Sequence, residues 1–206
     1  MIAKESLYFI VPLFLISLIF FIMKLPCIAA FIIILAFPIL YFFRNPERYP
    51  PEEEDLLVSP ADGKVMSIED IKPSNREEVY KRISIFMSPL DVHINRSPVD
   101  GEVEKIQRKG GGYLPAYKKE SCENEKVIID IKSGEVNYIV ELIAGIMARR
   151  IKPYIKEGDL LRKGQRIGII MLGSRVDFYF PVQYEVLVEE GARVKAGETA
   201  VVRRKK

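Results

Sequence analysis

Two related segments decide the fold of this chain: EGDLLRKGQ at residues 157–165 and EGARVKAGE at residues 190–198. Each segment is bounded by glycines, which adopt the backbone conformations that tight turns require, and each contains a short apolar run. Glycine-bounded runs of this kind are typical of β-hairpins. Because the pattern occurs twice, we expect two halves with similar structures.

A second pair of related segments precedes the first: SPADGKV at residues 59–65 and SPVDGEV at residues 97–103. In both, an Asp-Gly turn signal opens a strand-like run. The paired hairpins resemble the barrel-sandwich fold of lipoyl and biotinyl carrier domains. We therefore predict a mainly β, barrel-sandwich-like domain with little helix outside the N-terminal region.

The N-terminal region contains two uncharged apolar runs, at residues 7–23 and 25–43, with Lys24 between them. At about 1.5 Å per residue, each run as a helix extends roughly 25–28 Å, close to the ~30 Å hydrocarbon core of a bilayer. The sequence predicts a transmembrane helical hairpin at residues 1–43 and a second domain at residues 44–206. A buried hairpin in the core of a water-soluble protein is the alternative.

Basic residues flank the hairpin unevenly. Lys4 precedes it and Arg44 and Arg48 follow it, whereas the turn has only Lys24. This distribution favours both ends on the cytoplasmic side, with Arg44, Arg48 and Tyr49 as anchors at the membrane interface. We expect a protein of the cell membrane whose second domain is cytoplasmic.

Composition excludes several functions. The formal net charge of +3 is too small to indicate a nucleic-acid partner. The two cysteines, Cys27 and Cys122, lie in dissimilar surroundings and indicate no disulfide framework. No metal site is expected, and histidine-dependent chemistry has only His93 available.

The segment IMLGSRVD at residues 170–177 places a Gly-Ser pair between two strand-like runs. A serine after glycine can turn its hydroxyl onto the preceding carbonyl, here that of Gly173, because glycine has no Cβ in the way. This arrangement permits self-cleavage of the backbone before Ser174; a simple glycine bulge is the alternative. His93 could activate the hydroxyl, and Asp62 or Asp100 could orient the imidazole.

Six blocks of the sequence, in the same order, closely resemble short-type phosphatidylserine decarboxylases. They are FFRNP at residues 42–46, VSPADG at 58–63, FMSPLDVHINRSPVDG at 86–101, ELIAGIMARR at 141–150, GQR at 164–166 and GSRVD at 173–177. The resemblance covers most of the chain after Phe42.

The resemblance implies a membrane enzyme that makes its own covalent cofactor. Ser174 would attack the Gly173 carbonyl, assisted by His93, which Asp62 would orient. Cleavage would leave a heterodimer of a β chain ending at Gly173 and an α chain whose residue 174 has become a pyruvoyl group. That group would bind the amine of a serine-headed phospholipid, and CO2 and an ethanolamine phospholipid would be released.

The substrate and two arginines are further expectations. A composition rich in Ile, Lys and Glu is typical of thermophiles and favours archaetidylserine over phosphatidylserine. Arg96 stands where longer bacterial members have a second histidine, and Arg175 stands where many have threonine. Both are candidates for binding the substrate's carboxylate or phosphate, although Arg175 could equally pair with Asp177.

Two other functions remain open from the sequence. One is a pyruvoyl decarboxylase for a soluble amino acid, for which the apolar hairpin has no obvious purpose. The other is a membrane-tethered lipoyl- or biotinyl-like binding module without catalysis, which would remain a single chain and would carry a modifiable lysine at a hairpin tip.

Overall fold

A computed structural model describes residues 1–73, 78–112, 124–145, 150–171 and 174–205 of the chain. It forms two compact units, Met1–Glu47 and Arg48–Lys206. The first is helical and the second consists mainly of strands. The predicted mainly β class is confirmed, and the largest sheet curls as a half barrel.

The first unit is a helical hairpin. A short 3-10 helix (Lys4–Ser6) leads into α1 (Leu7–Ile22), and the chain returns through α2 (Pro26–Ile34) and α3 (Ala36–Phe42). The Ser17 hydroxyl on α1 donates to the Ala29 carbonyl on α2 at 2.9 Å. Ala3 N donates to Phe43 O at 2.8 Å, so the two ends of the unit meet. The predicted return of the chain to its starting side is therefore present.

The capacity of this unit to cross a membrane rests on length and composition. Among the described residues, one stretch, Lys4–Ile22, is long and apolar enough to span, whereas the returning stretch Pro26–Phe42 is shorter. Large apolar side chains are exposed around the hairpin, including Phe14 and Phe31. Transmembrane insertion of both arms stays a prediction, as does a domain boundary at residue 43.

The second unit has fourteen strands within the described residues: β1 (Leu56–Val58), β2 (Gly63–Ile71), β3 (Tyr80–Met87), β4 (Ile94–Arg96), β5 (Gly101–Lys109), β6 (Lys126–Ser133), β7 (Val136–Ala144), β8 (Ile151–Pro153), β9 (Leu160–Leu161), β10 (Arg166–Ile170), β11 (Ser174–Pro181), β12 (Glu185–Val186), β13 (Arg193–Val194) and β14 (Ala200–Arg203).

These strands form one large and two small antiparallel sheets. The large sheet has the order β13-β2-β3-β11-β7-β6-β5-β9, and the small sheets have the orders β1-β14-β12 and β4-β10-β8. Alternate residues of β11, including Val176, Phe178 and Phe180, enter the apolar core between the sheets. Arg175 and Asp177 therefore lie on the other face of β11.

The second unit has an approximate internal twofold repeat, which the sequence pairs predicted. Strand β13 pairs with the start of β2, and β9 pairs in the same way with the start of β5. In the small sheets β1 corresponds to β4, β14 to β10 and β12 to β8. In both β1 and β4 the pairing register shifts between the second and third residues of the strand.

Matching hydrogen bonds confirm the correspondence of the two halves. The Ser59 hydroxyl donates to Ala61 O at 2.7 Å, and Ser97 donates to Val99 O at the same distance. Gly197 N donates to Ser59 O and Gly164 N to Ser97 O, both at 2.8 Å. Any functional side chain present in only one half is consequently not required by the fold.

Candidate functional site

Ser174 is the first residue of β11, the strand at the centre of the large sheet. It lies opposite Met87 of β3 and Ala144 of β7, and its side chain is fully buried. Residues directly opposite in antiparallel strands share a face, so the hydroxyl points toward the core. It donates a hydrogen bond to the Met87 sulfur at 3.3 Å.

His93 immediately precedes β4 and is fully buried. Its carbonyl accepts a hydrogen bond of 3.4 Å from the backbone of Ile170, the last residue of β10, from which the chain continues toward Ser174. Its Nδ1 lies 3.0 Å from the Asp91 carbonyl. Because a carbonyl only accepts, Nδ1 carries the proton in the neutral ring and Nε2 carries the lone pair. Nε2 is thus the basic atom.

The two candidate orienting carboxylates, Asp62 and Asp100, occupy corresponding positions in the two halves. Each accepts a 2.8 Å hydrogen bond through Oδ1, Asp62 from Ala196 N and Asp100 from Lys163 N. Asp62 is buried, whereas Asp100 is exposed. Burial therefore distinguishes two residues that sequence alone left as rivals; the contact of Asp62 with His93 stays a prediction.

Arg48 holds the second oxygen of Asp62. Its Nη2 lies 2.8 Å from Asp62 Oδ2, and its Nη1 lies 2.8 Å from Glu198 Oε2. Only 9% of the Arg48 side chain is exposed. Sequence analysis expected Arg48 to anchor the chain at a membrane interface, but its guanidinium instead forms ion pairs within the second unit. Nothing in the local sequence indicates these partners.

The two arginines predicted to bind substrate have partners within the protein. Arg175 makes a two-pronged contact with Asp177, with Nε and Nη2 each 2.6 Å from a carboxylate oxygen. This is the alternative pairing that the sequence left open. Arg96 is buried and donates to the Gly164 carbonyl at 2.7 Å. Substrate binding by Arg175 or Arg96 stays a prediction.

Buried charges shape the face of β11 that carries Arg175. Burial opposes the charge of Arg175, but its ion pair with Asp177 outweighs this and raises the pKa of the guanidinium above its ordinary value. Burial, reinforced by the Glu141 and Asp177 carboxylates, raises the pKa of the Tyr179 hydroxyl far above its ordinary value. The guanidinium thus stays charged and the phenol neutral at physiological pH.

Met87, which contacts Ser174, and Asn95, which contacts Met87, are not among the residues predicted from the sequence. Besides accepting from Ser174, the Met87 sulfur accepts a 3.6 Å hydrogen bond from the side-chain amide of Asn95 on β4. A signal for Asn95 was present, because the aligned segments place it in the position that Leu57 holds in the other half. The predicted cleavage residue Gly173 lies outside the described residues.

The structure thus has a buried hydroxyl at the start of β11, a buried histidine with a basic Nε2 immediately before β4, and a carboxylate fixed by an arginine. The profile of the phosphatidylserine decarboxylase family matches residues 35–202, which include all of these groups. The chain belongs to the phosphatidylserine decarboxylase family.

Relatives within the phosphatidylserine decarboxylase family cover most of the chain. A phosphatidylserine decarboxylase proenzyme of Carboxydothermus hydrogenoformans is 43% identical over 168 residues, covering 80% of this chain and 79% of that protein. A protein of Methanopyrus kandleri that carries the name of an archaetidylserine decarboxylase proenzyme is 42% identical over 176 residues, covering 81% and 82%. A relative of the same name from Methanothermobacter thermautotrophicus is 44% identical over 179 residues, covering 80% and 79%.

Family membership favours a decarboxylase over the binding module that the hairpins also allowed. The relatives are named as proenzymes, that is, as precursors that are processed. A carrier or binding module of the lipoyl type would need no such processing.

Proposed function

We propose that this protein is a self-cleaving, pyruvoyl-dependent decarboxylase that converts a serine phospholipid into the corresponding ethanolamine phospholipid with release of CO2. The observation that carries the proposal is the family match over residues 35–202, within which Ser174 stands buried at the start of the central strand. The relatives include proteins named for phosphatidylserine and for archaetidylserine, so both lipids are candidate substrates.

The first stage is the maturation of the chain. His93 Nε2 accepts the proton of the Ser174 hydroxyl, and the oxygen attacks the carbonyl carbon of Gly173. The peptide nitrogen takes up the proton and leaves that carbon, so an ester replaces the amide. Removal of the Cα proton of residue 174 and breakage of its Cβ–Oγ bond then leave a carboxylate on Gly173 and a dehydroalanine at residue 174. Addition of water and loss of ammonia give the ketone of the pyruvoyl group.

The residues at the site fit such a group. Ser174 contacts the Met87 thioether, which suits a methyl group, and the same sulfur contacts the Asn95 amide, which suits a carbonyl oxygen. When formed, the pyruvoyl group supplies a carbonyl that binds the substrate amine and withdraws electrons from the carbon that loses CO2. His93, the sole histidine of the chain, is the candidate for donating a proton to that carbon.

Asp62 has the role of orienting His93 and stabilising its positive charge, alongside the Asp91 carbonyl that lies 3.0 Å from Nδ1. The buried ion pair with Arg48 and the hydrogen bond from Ala196 N fix the position of its carboxylate. A fixed carboxylate can stabilise an imidazolium as it forms, which an exposed and mobile carboxylate does less well. The burial of Asp62 and the exposure of Asp100 support this assignment.

The apolar hairpin gives the enzyme access to its lipid. The Lys4–Ile22 stretch has the length and composition to cross a bilayer, and the exposed apolar side chains around the hairpin favour a lipid environment. The excess of basic residues at the ends of the hairpin favours the cytoplasmic face of the cell membrane for the second unit. Both cleaved chains are expected to stay together, because β11 pairs with β3 along its whole length and with β7 from Ser174 to Tyr179.

The test combines mass spectrometry with a lipid assay. The full chain, purified in detergent and then denatured, should yield a fragment starting at residue 174 that is about 17 Da lighter than a serine-started peptide. Ser174→Ala should remain uncut, whereas Ser84→Ala, which alters a buried serine of β3, should cleave normally. Purified protein should release CO2 from a serine phospholipid in mixed micelles, with acyl and isoprenoid lipids compared side by side. An uncut wild-type chain, or a cut chain inactive on both lipids, contradicts the proposal.

A further inference from the structure

Asn95 is a polar side chain in an apolar place. It is fully buried on β4, and within the described part of the chain its Oδ1 has no hydrogen-bond partner. Its amide nitrogen donates only to the Met87 sulfur, at 3.6 Å, among the hydrogen bonds that the structure shows for it. A buried amide with two donors and an acceptor is costly when so little of this capacity is used.

The internal repeat shows that the fold does not need this amide. Asn95 corresponds to Leu57 on β1, a fully buried residue of the apolar core. Asn95 lies opposite Gly168 in the small sheet, just as Leu57 lies opposite Val202. One half of the fold thus works with leucine where the other half has an asparagine whose Oδ1 has no partner among the described residues and whose nitrogen makes one weak hydrogen bond to sulfur. Because that nitrogen carries two N–H groups, it can donate to a further acceptor.

The Met87 sulfur connects Asn95 to the reacting residue. The same atom accepts from the Asn95 amide at 3.6 Å and from the Ser174 hydroxyl at 3.3 Å. A thioether is a weak acceptor, so it can orient the hydroxyl without holding its proton strongly. The proton thus remains available to a base.

The weak acceptor also suits the product of cleavage. When the Cβ–Oγ bond breaks, the oxygen stays with Gly173 and the carbon at residue 174 becomes a methyl group. A carbonyl or carboxylate in place of the sulfur would then be buried without a donor, whereas a thioether packs against a methyl group as an apolar neighbour. The ketone oxygen, which comes from water, is a new acceptor at the same residue.

We propose that Met87 and Asn95 form a positioning pair for residue 174: the sulfur holds the serine hydroxyl before cleavage, and the Asn95 amide donates to the ketone oxygen afterwards. The inference rests on the proposed function, because it concerns the same serine before and after maturation. It assigns the two side chains to different stages, which makes the stages separable by experiment.

Two conservative substitutions separate the stages. Met87→Leu removes the sulfur and keeps an apolar side chain of similar size, and Asn95→Leu installs the residue that the other half of the fold already uses. Ile85→Leu, which alters a residue on the same face of β3 as Met87, is the matched control for Met87→Leu. Ser84→Ala, which removes a buried hydroxyl from the opposite face of β3, is the control for Asn95→Leu.

The full chain is made by cell-free synthesis in detergent, and cleavage is followed over time on gels. Met87→Leu should cleave about threefold to tenfold more slowly than wild type, as expected for the loss of one weak hydrogen bond to the reacting hydroxyl. The cleaved variant should then react with phenylhydrazine at the wild-type rate. Asn95→Leu should cleave with a smaller delay, but its ketone should react about tenfold more slowly in the native protein. Both controls should match wild type in both measurements.

Stability provides the readout that separates positioning from structure. In a Ser174→Ala background, which prevents cleavage, Asn95→Leu should leave the melting temperature unchanged or raise it, because it removes an unsatisfied buried amide. A drop in melting temperature that accompanies slowing of both stages overturns the proposal in favour of a structural role. Wild-type rates of cleavage and of phenylhydrazine reaction in both variants also overturn it while leaving the proposed function intact. An uncut wild-type chain overturns both.

Discussion

Asp62→Asn and Asp100→Asn compare corresponding positions of the internal repeat, of which only one is buried. Each substitution keeps the shape of the side chain and leaves an oxygen that can accept the backbone hydrogen bond, from Ala196 N or from Lys163 N. What Asp62→Asn removes in addition is a charge that Arg48 binds at 2.8 Å. The pair therefore isolates the effect of the buried carboxylate.

The structure sets the expected size of the effect. The Arg48 and Asp62 side chains are 9% and 12% exposed, so their hydrogen bond is largely shielded from water. A hydrogen bond between charged groups contributes about 1.5–3 kcal/mol to stability. Because Arg48 keeps its second partner, Glu198, at 2.8 Å, its charge is not left uncompensated. We expect Asp62→Asn to lower the free energy of unfolding by about 2 kcal/mol, and Asp100→Asn by no more than about 0.5 kcal/mol.

The effect on self-cleavage should exceed the effect on stability. Loss of the carboxylate that orients a general base is expected to slow proton transfer by about 10²- to 10⁴-fold. Asp100→Asn should cleave at the wild-type rate. Cleavage is measured by cell-free synthesis and gels, and unfolding by urea titration followed by circular dichroism in a Ser174→Ala background, since the chain has no tryptophan to report on folding.

Arg48→Gln serves as the control, because it breaks the same ion pair but keeps the Asp62 carboxylate. It also removes the contact with Glu198 and leaves the Asp62 charge without its arginine, so it should be destabilised at least as much as Asp62→Asn and yet cleave much faster. If Asp62→Asn loses stability but cleaves normally, Asp62 has only a structural role. If Asp100→Asn is the slower of the two aspartate variants, the assignment by burial is wrong.

Three further predictions follow from the second unit. Gly63→Ala should lower the free energy of unfolding by about 3 kcal/mol or more, because the added Cβ would lie 2.1 Å from a backbone oxygen of β3 and the φ angle of Gly63 is +153°. Gly134→Ala has open space around it and should lower the free energy of unfolding by only about 1 kcal/mol. Urea unfolding of the two variants compares these effects. The free energy of unfolding should fall as pH rises above about 10, because tyrosines ionise there in the unfolded state while the raised pKa keeps Tyr179 neutral in the folded state. In Tyr179→Phe, the free energy of unfolding measured across the same pH range should fall less. Arg175→Lys should lower the free energy of unfolding by about 1–3 kcal/mol, because it loses the two-pronged contact with Asp177, but the variant should still cleave itself. A folded Arg175→Lys chain that stays uncut on gels would instead place this arginine in the maturation chemistry.

Local signals explain what could be predicted. Asp-Gly turns open β2 and β5 where the sequence places them, at Gly63 and Gly101. The repeated segments at residues 157–165 and 190–198 form corresponding edges of the large sheet, through β9 and β13. Turn chemistry acts over a few residues, so the sequence carries it in full.

Contacts between distant residues could not be predicted in the same way. The Met87 sulfur and the Ser174 hydroxyl meet only because β3 and β11 pair in one particular register. A shift of that register by one residue would turn Ser174 away from the core, since neighbouring residues in a strand face opposite sides. The ion pair between Arg48 and Asp62 likewise depends on tertiary packing, and no local sequence pattern indicates that these two residues meet.

The mainly β class, the internal repeat, the apolar hairpin and the Gly-Ser pair at residues 173–174 can all be recognised in the sequence, because each depends on local turn chemistry, on the spacing of apolar residues or on neighbouring residues. The burial of Asp62, the pairing of Arg175 with Asp177 and the contacts of the Met87 sulfur with Ser174 and Asn95 become visible only in the folded protein. Burial and hydrogen bonding depend on which strands pair and in what register, and in this fold those strands come from distant parts of the chain.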